Sequence, residues 1–261
     1  VSTDPNQDTA NDAEESMLEG TLLSHLVELR TRLLKISAAV VGVFICLLPF
    51  ASTIFEIASA PLRAVLPGAQ MIATAPASPL IAPFKLTFYV ALFVAMPIVL
   101  YQVWAFVAPG LYRKEKRFAV PLLASSILLF YAGIAFAFYV VFPLVFGFFT
   151  QIAPEGVEVQ PDISEFLSFI TTIIFAFGIA FEVPIATVLI VWTGLTTTEK
   201  LGKARPYVFL GAFVMGMFLT PPDVISQTVL AVPVYLLYEL GIIMSRVFAI
   251  REPEESTKPA D

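Results

Sequence analysis

Three carboxylates stand where a carboxylate needs a reason. Glu28 lies in Ser24-His25-Leu26-Val27-Glu28-Leu29-Arg30-Thr31-Arg32-Leu33-Leu34, between an acidic stretch and the first long apolar run. Glu115 lies in Arg113-Lys114-Glu115-Lys116-Arg117, between the second and third runs. Glu182 is deep inside the fourth run, with no Lys or Arg at comparable depth. A carboxylate at a water surface is a ready partner for a guanidinium, whose planar fork it fits bidentately. An unpaired acid in the hydrocarbon region costs ~2.5–3.5 kcal/mol on insertion scales, which makes a functional role the default there. Each acid also has a plainer reading. Glu28 can pair with Arg32 at i,i+4, worth ~0.3–0.5 kcal/mol. Glu115 can be neutralised by its own loop, whose four bases would also repel a cationic ligand. Glu182 can be a protonated acid hydrogen-bonded inside a bundle. Gln227 and Glu239 in the last run, with Thr220 nearby, are further polar groups, and Glu239 sits close enough to the end of its run to reach the interface.

Other chemistry finds no support. The single histidine, His25, has no Ser, Cys or metal-ligand partner at motif spacing, and a solvated or capping role suits it. There is no HExxH, no Gly-rich phosphate loop and no CxxC, so the sequence reads as neither an enzyme nor a metal or cofactor protein. The lone Cys46 excludes an intramolecular disulfide.

The elements that must position these acids are membrane helices. The chain is 58% hydrophobic and 14% charged, with a mean hydropathy of +0.85, which suits an all-α polytopic membrane protein. Six apolar runs stand out: 33–50, 86–107, 118–143, 166–192, 207–219 and 224–243. A ~30 Å hydrocarbon core needs ~20 helical residues. The fifth run would reach only ~20 Å, so the last two spans are expected to be short. Leu22, Leu26, Leu29 and Leu33 share one helix face leading into the first span. Ser24 is expected as its N-cap, which puts Glu28 in the first turn. Thr171, Phe175, Gly178, Glu182 and Ala186 form a small and polar stripe on the fourth span. Thr220-Pro221-Pro222-Asp223 is a turn, with Asp223 positioned to cap the sixth span.

Charge sets the orientation. Of the 15 Lys and Arg residues, all but Arg63 and Lys85 fall in the segments before span one, between spans two and three, between four and five, and after six. Six spans with both termini cytoplasmic follow. The segment 151–165 carries Glu155, Glu158, Asp162 and Glu165 without a base, as an outside loop would. The long outside loop 51–83 is Pro-rich, and Leu62, Val65 and Leu66 predict a short interfacial helix in it. The division expected is a disordered acidic tail (1–20), one membrane domain (21–246) and a second cytoplasmic tail (247–261). The first span is expected to be retained, because its apolar run is too long for a signal-peptide core.

Four of these stretches resemble one family. Ser24 to Arg30 resembles the N-terminal signature of TatC, the multi-spanning receptor subunit of the twin-arginine protein translocase. Tyr101-Gln102-Val103-Trp104-Ala105-Phe106-Val107-Ala108-Pro109-Gly110-Leu111-Tyr112, followed by Glu115, resembles its first cytoplasmic loop. Phe181-Glu182-Val183-Pro184 and Leu219-Thr220-Pro221-Pro222-Asp223-Val224-Ile225-Ser226-Gln227 resemble two further motifs. The resemblance runs from about Ser24 to Arg246. It implies a receptor in the bacterial inner membrane that binds twin-arginine signal peptides of folded cargo, driven by the proton-motive force. By the same resemblance, Glu28 and Glu115 would contact the arginine pair with Arg30 in support. Glu182 would be the intramembrane acid, and Met217, Thr220 and Gln227 would lie at the partner-binding region. The implied partners are TatA/TatB-type single-span proteins, other TatC copies and membrane lipid, with no nucleic acid and no cofactor. The competing reading is a proton-coupled secondary transporter using Glu182, which lacks an internal repeat and a second titratable group at depth.

Overall fold

The computed structural model describes residues 5–65, 71–107, 116–152, 160–219 and 223–249. The described residues are helical apart from short connections, with one isolated bridge between Ile72 and Asp162 in place of any strand. In chain order the helices are α1 (Pro5–Leu47), α2 (Ala51–Ala58), α3 (Ala60–Val65), α4 (Ser78–Val94), α5 (Met96–Val107) and α6 (Lys116–Phe136). They continue with α7 (Phe142–Ile152), α8 (Ile163–Ala180), α9 (Val183–Trp192), α10 (Thr198–Leu219) and α11 (Val224–Ala249).

Helix α1 begins well before the apolar pattern. It runs back through the acidic stretch that composition alone reads as disordered, starting at a proline suited to a first helical position. Ser24 therefore lies inside a helix and is not its N-cap, and Glu28 is not in a first turn. At the other end, Pro49 interrupts the ladder with the 3-10 turn Leu48–Phe50, and α2 carries the helix on to Ala58. The connection to the next span, expected to begin at Ala51, starts only after Ala58. Its short helix α3 exists, but Leu62 packs into the protein core and is not an interfacial contact.

Proline shapes the other spans as well. Helices α4 and α5 are bent by 51° just before Pro97, and the Tyr131 hydroxyl donates to the Phe93 carbonyl at that break (3.1 Å). A π-helical turn, Ala137–Val141, lies immediately before Pro143 and joins α6 to α7. Pro184 cannot donate to the carbonyl four residues back, so α8 ends and α9 restarts around Phe181 and Glu182. Within α8, Phe175 is exposed while Thr171 and Gly178 are buried, so the predicted stripe is not uniformly buried.

By length and apolarity, four stretches qualify as membrane spans among the described residues: Leu26–Ala58, Val120–Gln151, Ile163–Trp192 and Val224–Val247. A fifth appears if bent α4 and α5 count as one. Helix α10 falls short because Glu199, Lys200, Lys203 and Arg205 occupy its first turns, leaving the brief apolar part read from sequence. The last span is not short: its 24 residues suffice to cross. Asp223 caps it as expected, its carboxylate accepting from the Ser226 N–H (2.6 Å).

The core centres on α6 to α8, where Phe130, Phe142, Phe177, Leu167 and Ile170 are fully buried. Two glycines let α6 and α8 meet. A Cβ on Gly178 would stand 2.6 Å from the Phe130 ring, and one on Gly133 would stand 2.5 Å from the Phe177 carbonyl oxygen.

Candidate functional site

The first group of predicted site residues lies where α1 meets the C-terminal end of α5. Arg32, one turn after Glu28, points its guanidinium between the two helices. Its Nε donates to Glu28 Oε1 at 3.0 Å, and Nη2 donates to the same oxygen. The fork also reaches α5: Nη1 donates to Gln102 Oε1 (3.2 Å) and Nη2 to the Ala105 carbonyl (3.1 Å). The plain i,i+4 pairing of Glu28 with Arg32 is therefore present, and it is part of a larger clamp. The second carboxylate oxygen, Oε2, has no partner among the described residues. Glu28 keeps about two-fifths of its side chain exposed (39%) and Arg32 about one-fifth (20%). A half-open carboxylate already engaged by a guanidinium is a geometry suited to binding one. Arg30 is exposed, with no hydrogen bond or ion pair among the described residues, and its position two residues on turns it away from Glu28. Glu115 lies outside the described residues, between the end of α5 at Val107 and the start of α6 at Lys116.

The second group surrounds Glu182. It occupies the residue before α9, with helical backbone angles and no cap hydrogen bond from its side chain. Its Oε2 accepts from the Ser126 hydroxyl of α6. Ser126 is fully buried and in turn accepts from Trp104 Nε1 of α5 at 3.4 Å. Oε1 is buried with no hydrogen-bond partner. A cavity of about 430 Å³ opens beside it, walled by Leu100, Val103 and Trp104 of α5, Ile185 and Leu189 of α9, and Leu195. Glu182 is the one acid lining a mostly apolar hollow, with Thr193 also at its wall, and so supplies its strongest hydrogen-bonding group. The side-chain hydrogen-bond partner of Glu182 among the described residues is a hydroxyl.

The third group lies at the α10–α11 turn. Gln227 is already engaged, its Nε2 donating to the Phe213 carbonyl at 2.6 Å, with its Cγ against Gly216. Met217 is exposed on α10. Thr220 lies outside the described residues. Glu239 is anchored to Arg205 across the two helices (Nη2 to Oε2, 2.8 Å) and accepts from the Tyr235 hydroxyl (2.9 Å). A bonded structural role explains it fully.

Helix α5 joins the first two groups. Gln102 and Ala105 face α1, while Leu100, Val103 and Trp104 face the Glu182 cavity, so the sites lie on two sides of one helix end. The sequence reading quoted Gln102 and Trp104 inside a motif and gave neither a role. Ser126 it missed, although the pair Ser125-Ser126 in the third apolar run was the available signal.

The far end of the molecule holds a clasp. Asp162 caps α8, accepting from the Ser164 and Glu165 N–H groups, and ties down Thr74 through its backbone N–H (3.0 Å) and hydroxyl (2.8 Å). These donors, the Thr74 N–H first, hold the Asp162 carboxyl down at about 2. Ser164 donates to Ser78 and Lys85 to Ser168 at the same end.

The family model described as Sec-independent protein translocase protein (TatC) matches residues 24–233. The Sec-independent protein translocase protein TatC of Azotobacter chroococcum mcd 1 is 57% identical over 241 residues, covering 92% of this chain and 94% of that protein. Its namesake from Escherichia coli (strain K12) is 57% identical over 228 residues, 87% of this chain and 88% of that one. A crystal structure of twin arginine translocase receptor TatC superposes with a TM-score of 0.78 at 36% identity, covering 86% of this chain and 99% of that chain.

Proposed function

This chain belongs to the TatC family of Sec-independent protein translocase proteins, and from that premise we propose that it reads twin-arginine signal peptides with Glu28 and Glu115. It is a multi-pass membrane component of a protein translocase and not a catalytic enzyme. The observation that carries the proposal is the Glu28 carboxylate itself, half exposed and already holding a guanidinium. Two carboxylates on separate elements read two adjacent arginines, each charged hydrogen-bonded pair contributing ~1.5–3 kcal/mol. An ammonium lacks the planar fork and is the weaker ligand.

The rest of the reading follows the fold. Six spans place both termini in the cytoplasm of a bacterial inner membrane, with α10 as the short fifth. The segments bearing Arg32 and Arg205 support this, because the cavity walls bring the ends of α5 and α9 together and α10 starts just beyond. Arg30, although turned away from Glu28 on the exposed side of α1, adds its charge beside the arginine-pair site as the family resemblance implies. The acidic segment 1–20 and the stretch 247–261 are cytoplasmic tails flanking the 21–246 membrane domain. Glu182, lining the open cavity, offers its carboxyl to a polar group on a TatA/TatB-type helix, and Met217, Thr220 and Gln227 edge a second contact. Folded cargo crosses with such partners and further TatC copies, using the proton-motive force. The transporter reading is not favoured: Ser126 and Trp104 are the polar neighbours of Glu182, and neither is a relay base. Co-purification of a twin-arginine signal peptide beside its Lys-Lys version tests the proposal. Equal retention of both would reject it.

A further inference from the structure

We infer that Arg32 is an internal stand-in for the peptide's arginine, and that binding at Glu28 is an exchange of one guanidinium for another. The inference rests on the proposed reading of Glu28 as a signal-peptide contact. Three features of the clamp point to exchange and not to a fixed strut. Both Arg32 bonds to Glu28 fall on one oxygen, Oε1, so Oε2 is open to a first contact from an incoming group. Arg32 also has two acceptors independent of Glu28, Gln102 Oε1 at 3.2 Å and the Ala105 carbonyl at 3.1 Å. When a peptide arginine takes the carboxylate, Arg32 keeps both and is not stranded as an unpaired charge between helices. The pair is also one helical turn apart on α1, so the swap needs side-chain rotation and no backbone movement.

Before the peptide arrives, Arg32 keeps the carboxylate ordered and aimed. The same contact makes it a competitor, so the parent binds peptide less tightly than an unoccupied Glu28 would. Gln102 acts in the opposite sense, because its bond to Arg32, long at 3.2 Å while Glu28 shares the fork, tightens once Glu28 lets the guanidinium go. Gln102 is therefore a positioning residue, buried under the Arg32 fork and acting through it.

The test uses the full chain in nanodiscs and a fluorescent twin-arginine peptide, with binding read by anisotropy. Arg32→Gln is expected to tighten binding about two- to fivefold, since a partly exposed ion pair is the competitor removed. Gln102→Leu is expected to weaken it by a similar factor in the parent, and to lose that effect in the Arg32→Gln background. A purely structural Arg32 gives the reverse sign, so unchanged or weaker binding by a folded Arg32→Gln chain would overturn the inference. Should that variant not fold, Gln102→Leu decides alone: equal or tighter binding rejects exchange. Failure of the receptor reading looks different, because then the parent shows no preference for the arginine pair and Glu28→Ala changes nothing.

Discussion

The contact between Ser126 and Glu182 lends itself to a double-mutant cycle. Ser126 is fully buried, and its hydroxyl is the side-chain partner of Glu182 among the described residues. Ser126→Ala leaves the carboxyl with both oxygens unmatched, since Oε1 has no partner to begin with. Glu182→Leu leaves the serine hydroxyl with an unused donor, although Trp104 still reaches it. The double variant removes both ends of the bond and strands only the Trp104 indole N–H. The two single losses should therefore exceed the double by a coupling of about 0.6–1.7 kcal/mol, from the average to the maximum found for hydrogen bonds between membrane helices. Glu182→Gln keeps an acceptor for Ser126 and should lie closer to the parent than Glu182→Leu. Reversible unfolding in mixed micelles, followed by tryptophan fluorescence, reads the cycle, with Trp104 itself next to the contact. Additivity within about 0.3–0.5 kcal/mol would mean that Ser126 does not hold Glu182, and the aimed-carboxyl account of the cavity would fall.

Three other outcomes are expected. The Asp162 carboxyl, held at about 2 against an ordinary 3.8, contributes clasp stability fully above the ordinary value and loses it as pH falls through about 2. Amide exchange at Thr74 should therefore stay slow at pH 5 in the parent and rise at pH 5 in Asp162→Ala; a parent already unprotected at pH 5 contradicts the clasp. Gln227→Leu should weaken cross-linking to a TatA/TatB-type helix while leaving peptide binding at Glu28 intact. Because it also removes the bond to Phe213, it should lower stability by about 0.5–1.5 kcal/mol, and unchanged cross-linking in that weakened chain would remove Gln227 from the partner site. Externally added thiol reagent should label a cysteine placed at Gln70 or Glu155 and miss one at Lys114 or Lys203; labelling at Lys114 would invert the proposed orientation.

Much of this was legible in the sequence, and what was not has physical causes. Apolar runs and segregated bases pointed to a helical membrane protein, because hydrocarbon and water sort residues by type whatever the packing. Asp223 announced its cap, whereas the break before Pro184 lies inside an apolar run that reads as one helix. Helix ends were harder: α1 starts far before Ser24 and α11 runs beyond Ile243, since neither end is marked by a change in apolar pattern. The stripe through Glu182 is only partly buried, because spacing places residues on one side of a helix but does not say which neighbour covers each: Thr171 and Gly178 are covered and Phe175 is not. At the site, types and positions of the acids could be read, but their partners could not. Arg32 reaching Gln102, and Glu182 reaching Ser126, join residues 70 and 56 positions apart. Only the packing of α5 and α6 brings those groups within bonding distance.

The central claim is that Glu28 and Glu115 read an arginine pair, and peptide affinity measures it most directly. A purified, membrane-reconstituted chain should bind a twin-arginine signal peptide well and its Lys-Lys counterpart poorly. Glu28→Ala and Glu115→Ala should each weaken binding of the arginine peptide by about 1.5–3 kcal/mol, one to two decades in Kd. Unchanged affinity in the variant lacking both carboxylates would contradict the account and put the recognition site elsewhere.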